Sequence, residues 1–367
     1  MDVKWYSKYV YLVGAVLSFA DPITDILTLA EFYREDHKTW FVVGLCFVFL
    51  PWVPFGYYYV VFERPLTIAI EQPERRRARS CNWLKSFLIG FHPFSVAVAR
   101  VRMFVICLKD KDEAANAKNK KDYSEAAALF EAVLESAPQF VIQLYVISIQ
   151  HESVSVIQWI SLPISLLSLV WTFTSDEITS DIHVKHCCFL FVTNLFLVSS
   201  RLFAVSYFTV SYKWWIISVV MLHSISMMLA GYICHNGRPH ILPFRSIRDA
   251  VDFICRKFCV QWLKDDFPSS SLSDTNTILW VANALFVVEN LVMILLFYFN
   301  GHSNTWYALP VTICVCVFTV LGGIMRITHF YLLNEQEIVT QDIPVYPPLE
   351  NEIIPSTNFQ GFYETAV

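Results

Sequence analysis

The residues of this sequence that are best suited to chemistry are charged side chains within long apolar stretches. Asp21 and Asp25 are spaced i and i+4, and Glu131 and Glu135 repeat that spacing, so each pair shares one helix face. Carboxylates and guanidinium groups at such positions can bind the amine and the phosphate of a zwitterionic headgroup, or ions or protons. The intramembrane charges predicted from the sequence are Asp21, Asp25, Arg100, Glu131, Glu135, Arg201, Glu289 and Arg326.

Two interpretations of these charges are open. A charge at the middle of a bilayer costs about 2.5–3.5 kcal/mol on insertion scales, so these side chains should face the interior of a helix bundle. In the first interpretation, carboxylate–arginine bridges hold helices in register. In the second, the charges form a polar track, a line of polar side chains that serves as a pathway. The number of charges and their spread over several segments favour the polar track.

Other polar residues near the spans receive simpler interpretations. His223 and His329 lie within apolar segments and are expected to be hydrogen-bonded core residues. Asp176 and Glu177 lie where an apolar segment ends, and are expected to be solvated.

The composition indicates that the solvent around much of this chain is a lipid bilayer. Of the 367 residues, 55% are hydrophobic and 16% are charged, whereas a soluble domain carries about 25% charged residues. A membrane span needs roughly 20 mostly apolar residues. Segments that meet this requirement lie at about 10–30, 40–62, 125–149, 155–174, 187–209, 213–235, 277–299 and 306–332.

Two further apolar segments, at 81–108 and 247–263, are interrupted. His92 and Pro93 break the first, because proline removes a helical hydrogen bond and clashes with the preceding turn. Arginines precede this segment and lysines follow it, so the positive-inside rule places both of its flanks in the cytosol. The segment is therefore predicted to be re-entrant, with its turn at His92 and Pro93.

These segments predict an all-α polytopic membrane protein with about eight transmembrane helices plus two re-entrant or partial helices. The two halves, at about 10–174 and 187–332, resemble a pseudo-repeat. We expect a single transmembrane domain over 1–333 and a flexible cytosolic tail over 334–367. Both termini are predicted to be cytosolic.

The sequence lacks the motifs of the common nucleotide-dependent and metal-dependent enzymes. It contains neither a glycine-rich phosphate loop nor a His-Glu-x-x-His pattern. We therefore expect a protein that is not an enzyme and that holds no cofactor and no metal. Any transport would have to be downhill or coupled to an ion.

Five stretches of the sequence resemble the XK-related family of membrane proteins. The most specific is EAVLESAPQFVIQLY at 131–145. The others, in matching order, are FADPITDILTLAEFYRED at 19–36, LFLVSSRLFAVSYF at 195–208, LFVVENLVMILLFY at 285–298 and WYALPVTICVCVFTVLGGIMRITHFYLL at 306–333. The resemblance extends over nearly the whole chain.

The resemblance implies a function, because family members with known activity are phospholipid scramblases. They move phosphatidylserine and other lipids between leaflets without ATP, notably in apoptosis. The expected activity is thus ATP-independent phospholipid scrambling with phosphatidylserine exposure at the plasma membrane. The positions that the resemblance carries over are Asp21, Asp25, Glu131, Glu135, Arg201 and Glu289.

Alternatives and partners remain open from the sequence. The chain could instead be a non-transporting scaffold that binds a lipid-transfer protein, through the loop at 109–124, or an ion-coupled transporter. Expected partners are phospholipids, an accessory membrane subunit or a lipid-transfer protein. The C-terminal residues Thr365-Ala366-Val367 also fit a PDZ ligand. Asp342, in VTQDI, matches a caspase site poorly.

Overall fold

The computed structural model describes residues 7–53, 55–57, 59–60, 84, 87–109, 118–149, 154–178, 184–234, 272–302 and 305–341. Within these ranges the regular structure is entirely helical. The α-helices are α1 (Ser7–Arg34), α2 (Lys38–Phe49), α3 (Ser95–Lys109), α4 (Lys118–Glu131), α5 (Ala137–Ile149), α6 (Val156–Glu177), α7 (Val184–Tyr212), α8 (Trp215–Cys234), α9 (Leu272–Phe297) and α10 (Ala308–Gln341). Two π-helical turns, Ala132–Ser136 and Tyr298–His302, follow α4 and α9.

Among the described residues, six helical stretches are long and apolar enough to cross a membrane. They are Lys8–Arg34, Tyr123–Ile149, Val156–Glu177, Val184–Tyr212, Asn283–Asn300 and Ala308–His329. Each overlaps a span predicted from the sequence, and the chain is a multi-pass membrane protein.

The finer topology stays a prediction. The predicted spans 40–62 and 213–235 overlap α2 and α8, neither of which is among the six stretches. The predicted segment 247–263 lies outside the described residues. The total of eight spans, the re-entrant pair and the pseudo-repeat are therefore not established by this fold.

The chain turns at His92 and Pro93. Residues 87–90 are helical, residues 91–94 form the turn, and α3 begins at Ser95. The Ser95 amide donates to the His92 carbonyl at 3.2 Å, and the Phe94 amide donates to the His92 Nδ1 atom at 3.2 Å. These bonds satisfy the Phe94 and Ser95 N–H groups at the start of α3, where the helix itself supplies no acceptor. Helix α3, which carries Arg100, therefore starts directly after this turn.

A π-helical turn precedes Pro138, which is the second residue of α5. In this turn the Ala137 amide bonds to the Ala132 carbonyl, five residues earlier. Pro138 has no amide hydrogen to give to the carbonyl four residues before it, and its ring crowds that carbonyl. A π turn relieves this conflict, and such turns are frequent at functional sites. Glu135 and Ser136 lie within it.

Prolines also interrupt the hydrogen bonding of α1 and α6. Pro22 lies inside α1, directly after Asp21, and Pro163 lies inside α6 between Ser161 and Ser165. Each removes one helical hydrogen bond. The backbone is consequently weakened on α1, α5 and α6 at positions next to the buried polar side chains described below.

The apolar core lies mainly among α5, α6, α7, α9 and α10. Its largest cluster includes Phe140, Phe173, Leu202, Phe297 and Val315. Helix α1 packs mainly against α3 and α6 instead. Polar side chains such as Asp21, Asp25 and Arg100 lie where α1, α3 and α6 meet.

The compact unit that contains these helices ends at His329, within α10. The residues from Phe330 onward belong to a second unit. Helix α10 continues to Gln341, into residues that the sequence assigned to the tail. The remainder of the predicted tail lies outside the described residues.

Gly90, just before α3, lies against the backbone of Phe55 and Gly56, and this close approach leads to the first prediction. A Cβ atom on Gly90 would lie 2.7 Å from the Phe55 carbonyl oxygen and 3.0 Å from the Gly56 Cα atom. Because backbone atoms cannot move aside, Gly90→Ala is expected to destabilise the protein by about 1–3 kcal/mol. Thermal unfolding in detergent measures this as a lower Tm.

Gly323→Ala is the matched control for Gly90→Ala. A Cβ atom at Gly323 would meet only the Val287 Cγ2 atom, at 3.4 Å, which is an ordinary contact. Since alanine also favours a helix over glycine, the Tm of this variant should be unchanged or higher. An unchanged Tm for Gly90→Ala would contradict the packing described here.

Candidate functional site

The polar side chains of α1 occupy its buried face. Ser18, Asp21, Asp25 and Thr28 are at most 1% exposed. Val16 and Phe19, on other sides of the helix, are 60% and 52% exposed. This polar-inside arrangement is expected where lipid surrounds the bundle, because a lipid-facing carboxylate has no partner.

Asp21 and Asp25 accept hydrogen bonds from neutral donors on two other helices. The Ser136 and Ser165 hydroxyls donate to Asp21 at 2.5 Å and 2.6 Å. Asp25 accepts from the Gln143 amide at 3.1 Å and from the Ser161 hydroxyl at 3.2 Å. The two carboxylates predicted to share a face are thus held by hydroxyl and amide groups.

Glu131 and Glu135 lie in the same region and are less well satisfied. The Ser18 hydroxyl donates to Glu131 at 2.7 Å, while the second Glu131 oxygen has no hydrogen-bond partner among the described residues. Within the same ranges, neither carboxylate oxygen of Glu135 has a partner, although this side chain is 1% exposed. We call Asp21, Asp25, Glu131 and Glu135 the acidic cluster.

Arg100 of α3 is the cation placed beside the acidic cluster. Its Nη2 atom donates to the Thr172 hydroxyl of α6 at 3.1 Å, and its Nη1 atom has no partner among the described residues. The guanidinium occupies the space over Gly14, where a Cβ atom would lie 2.5 Å from Nη1. Arg100 interacts electrostatically with Glu131, yet no close ion pair joins the two.

The acidic cluster has more hydrogen-bonding capacity than its protein neighbours use. Four buried carboxyl groups face one buried guanidinium, and an unpartnered buried polar atom costs about 1–3 kcal/mol. Such groups recover that energy when water, an ion or a polar ligand enters. The cluster can therefore bind a small polar group that carries both charge signs.

A second polar group joins α7, α8 and α9. Arg201 pairs with Glu289 at 2.8 Å, and its Nη1 atom donates to the side-chain Oδ1 atom of Asn290 at 2.9 Å. The His223 Nδ1 atom lies 2.6 Å from the same Glu289 oxygen, and the Arg201 guanidinium also lies over the Phe286 ring, 5.2 Å from its centroid. Opposite charges neutralise each other here.

The third polar group joins α6 to α10 and corrects one expectation. Arg326 makes two hydrogen bonds to Glu177, of 2.6 Å and 3.0 Å. The expectation that Glu177 is solvated was wrong, since both side chains are only 5% exposed. The sequence could not reveal this bond, because its partners are 149 residues apart. His329, nearby on α10, is buried and stacks on Phe189.

The structure thus distributes the predicted charges among three groups on different sets of helices. Several partners were missed by sequence reasoning because they are uncharged: Gln143, Ser161, Ser165, Thr172 and Asn290. The regular serine spacing in α6 is a signal that could have revealed some of them. Among the described residues, no group of three His, Cys, Asp or Glu side chains is arranged to hold a metal ion.

The Arg326–Glu177 pair yields the second prediction. Glu177→Gln or Arg326→Gln alone leaves a buried charge without its counter-charge, which should cost about 3–5 kcal/mol of stability. The double variant should lose much less than the sum of the two. Thermal unfolding of all four proteins in detergent measures this coupling.

The Asp36–Lys38 pair is the control, because its atoms lie 2.9 Å apart but its side chains are 81% and 72% exposed. Asp36→Asn and Lys38→Gln should leave the Tm unchanged, since exposed ion pairs contribute little. Additive losses at Glu177 and Arg326 would show that the two side chains do not interact.

Comparison with known proteins identifies the family. The sequence profile described as XK-related protein matches residues 9–334. XK-related protein 8 of Gasterosteus aculeatus is 27% identical to this chain over 186 residues. That alignment covers 47% of this chain and 46% of the relative, so it spans about half the length of each protein. The resemblance found in the motifs is confirmed: the chain belongs to the XK-related family.

Proposed function

We propose that this chain moves phospholipids between the two leaflets of the plasma membrane without ATP, exposing phosphatidylserine. Membership of the XK-related family supports this proposal, because scrambling is the activity that the resemblance implies. Apoptosis is the proposed setting, both termini are proposed to face the cytosol, and phospholipids are the proposed substrates.

The observation that carries the proposal is the unused hydrogen-bonding capacity of the acidic cluster and Arg100. Arg100 retains a buried N–H without a partner among the described residues, and Glu135 retains both of its carboxyl oxygens. A guanidinium suits the phosphate of a headgroup, and carboxylates suit its amine. These groups lie on α1, α3, α4 and the π turn, inside a bundle of membrane-spanning helices.

The three polar groups receive different roles in this proposal. The acidic cluster with Arg100 contacts headgroups as they pass. The Arg201–Glu289–His223 and Arg326–Glu177 groups hold helices in register, because their charges already have opposite partners. Headgroups then move down their concentration gradient, so no nucleotide is required.

A scaffold without transport activity is the second candidate, and the paired charges favour it. Exchanging Arg201 and Glu289 as a pair should restore the expression lost in either single variant under both candidates, because each gives this pair a structural role. The scaffold is distinguished by copurification of a lipid-transfer protein or an accessory membrane subunit and by the absence of lipid movement in vesicles. A PDZ protein at Thr365–Val367 is a further proposed partner, at residues outside the described ranges.

The third prediction tests the proposed activity directly. Purified chain in vesicles of phosphatidylcholine and phosphatidylserine should move a fluorescent phospholipid to the outer leaflet without ATP. Glu135→Gln and Asp25→Asn should each slow this movement by about tenfold or more, the effect of losing one charge-assisted contact of about 1.5 kcal/mol. The rate at which dithionite bleaches the outer-leaflet label reports the movement.

Asp36→Asn, in an exposed turn, is the control and should keep the wild-type rate. A wild-type chain that moves no lipid would refute the proposed function. Full activity in Glu135→Gln and Asp25→Asn would instead remove the acidic cluster from the pathway.

A further inference from the structure

A row of small hydroxyl side chains on α6 has no role in the function proposed so far. Ser161, Ser165, Ser168 and Thr172 are spaced by four, three and four residues, which places them on one helix face. All are buried, with at most 2% exposure. We call these four residues the hydroxyl row.

The hydroxyl row faces the polar side of α1, and the helices run antiparallel there. Ser161 donates to Asp25 at 3.2 Å, and Ser165 donates to Asp21 at 2.6 Å. An advance of four residues along α6 thus matches a retreat of four along α1. We call the contact of the hydroxyl row with Asp21 and Asp25 of α1 the α1–α6 seam.

Polar contacts continue the seam toward both ends of α6. At one end Thr172 accepts a hydrogen bond from Arg100, which lies over Gly14 of α1. At the other end the Ser155 hydroxyl donates to Glu31 of α1. With a rise of about 1.5 Å per residue, the helix from Ser155 to Thr172 spans about 25 Å, close to the roughly 30 Å of a bilayer's hydrocarbon core. Polar side chains therefore line nearly a full crossing.

The hydrogen bonds of the seam can switch between alternative partners. The Ser165 hydroxyl lies 2.6 Å from Asp21 and 3.4 Å from Asp25, so its single proton can serve either carboxyl group. Within the described residues, one oxygen of Asp25 and the amide oxygen of Gln143 have no partner, although both side chains are fully buried. Single hydrogen bonds between membrane helices are weak, so a polar ligand can replace them.

We infer that the hydroxyl row is one wall of the lipid pathway, and that α1 and α6 separate along this seam as a headgroup passes. This inference rests on the proposed scrambling function and deepens it. A serine hydroxyl donates to phosphate oxygens and accepts from an ammonium group. The row thus suits zwitterionic headgroups, while the carboxylates and Arg100 supply the charges.

The competing explanation is structural, with the serines serving only to satisfy Asp21 and Asp25. Under that explanation, removing two hydroxyls changes stability and leaves the transport rate of the folded protein intact. Under the pathway assignment the rate itself falls.

Serine variants separate these explanations in the vesicle assay with fluorescent phosphatidylcholine. Ser161→Ala with Ser165→Ala should lower the rate about three- to tenfold per folded protein, as expected for two hydrogen bonds between helices. Ser206→Ala is the control, because this buried hydroxyl bonds only to the Leu202 carbonyl of its own helix. A wild-type rate in the double variant overturns the assignment.

A reversible cross-link tests the separation of the helices and does not depend on those variants folding. Glu31→Cys with Ser155→Cys places thiols at the contact that closes one end of the seam. A short bifunctional thiol reagent should block lipid movement, and reduction should restore it, while the wild-type chain with its native cysteines stays active in the reagent. Unchanged movement after complete cross-linking overturns the inference, whereas a wild-type chain that moves no lipid refutes the proposed function itself.

Discussion

A charge buried among membrane helices has to be compensated within a few ångströms, because neither lipid nor a low-dielectric interior stabilises it. This constraint governs the structure of the chain. Around Arg201 and Arg326 the compensation is an opposite charge on another helix. Around Asp21 and Asp25 it is a set of hydroxyl and amide donors. The opposite charges hold their helices together firmly, whereas the hydroxyl and amide donors make hydrogen bonds that a ligand can replace.

The helical backbone is also irregular near the acidic cluster. Pro22, Pro163 and the π turn before Pro138 each interrupt regular helical hydrogen bonding beside a residue that touches the acidic cluster. Gly14 leaves room for the Arg100 guanidinium, whose Nη1 atom would lie 2.5 Å from a Cβ atom at this position. Local irregularity and buried polarity therefore coincide on α1, α5 and α6.

The sequence predicted the features that depend on neighbouring residues. Apolar length located the six spanning stretches, and proline chemistry located the turn at His92 and Pro93. Helical periodicity correctly placed Asp21 and Asp25 on one face. Features that depend on distant residues were not predicted. Glu177 meets Arg326 only because the fold brings the end of α6 to α10, and a polar residue at the end of a span otherwise suggests solvation.

Uncharged partners were missed for a related reason. Serine and glutamine carry no net charge, so their presence in an apolar segment gives only a weak signal of function. Ser136 and Gln143 gain importance because folding brings them to carboxylates more than 100 residues away. The division of the charges into paired groups and an underpaired cluster likewise depends on tertiary contacts.

Phosphatidylserine exposure on cells that express this chain, before and after an apoptotic trigger, tests the central claim most directly. The account predicts that wild-type chain raises exposure, and that Glu135→Gln, present at the cell surface in equal amount, does not. Equal exposure by the two proteins would contradict the claim that the acidic cluster carries the lipid movement. No exposure from the wild-type chain under either condition would contradict the proposed function as a whole.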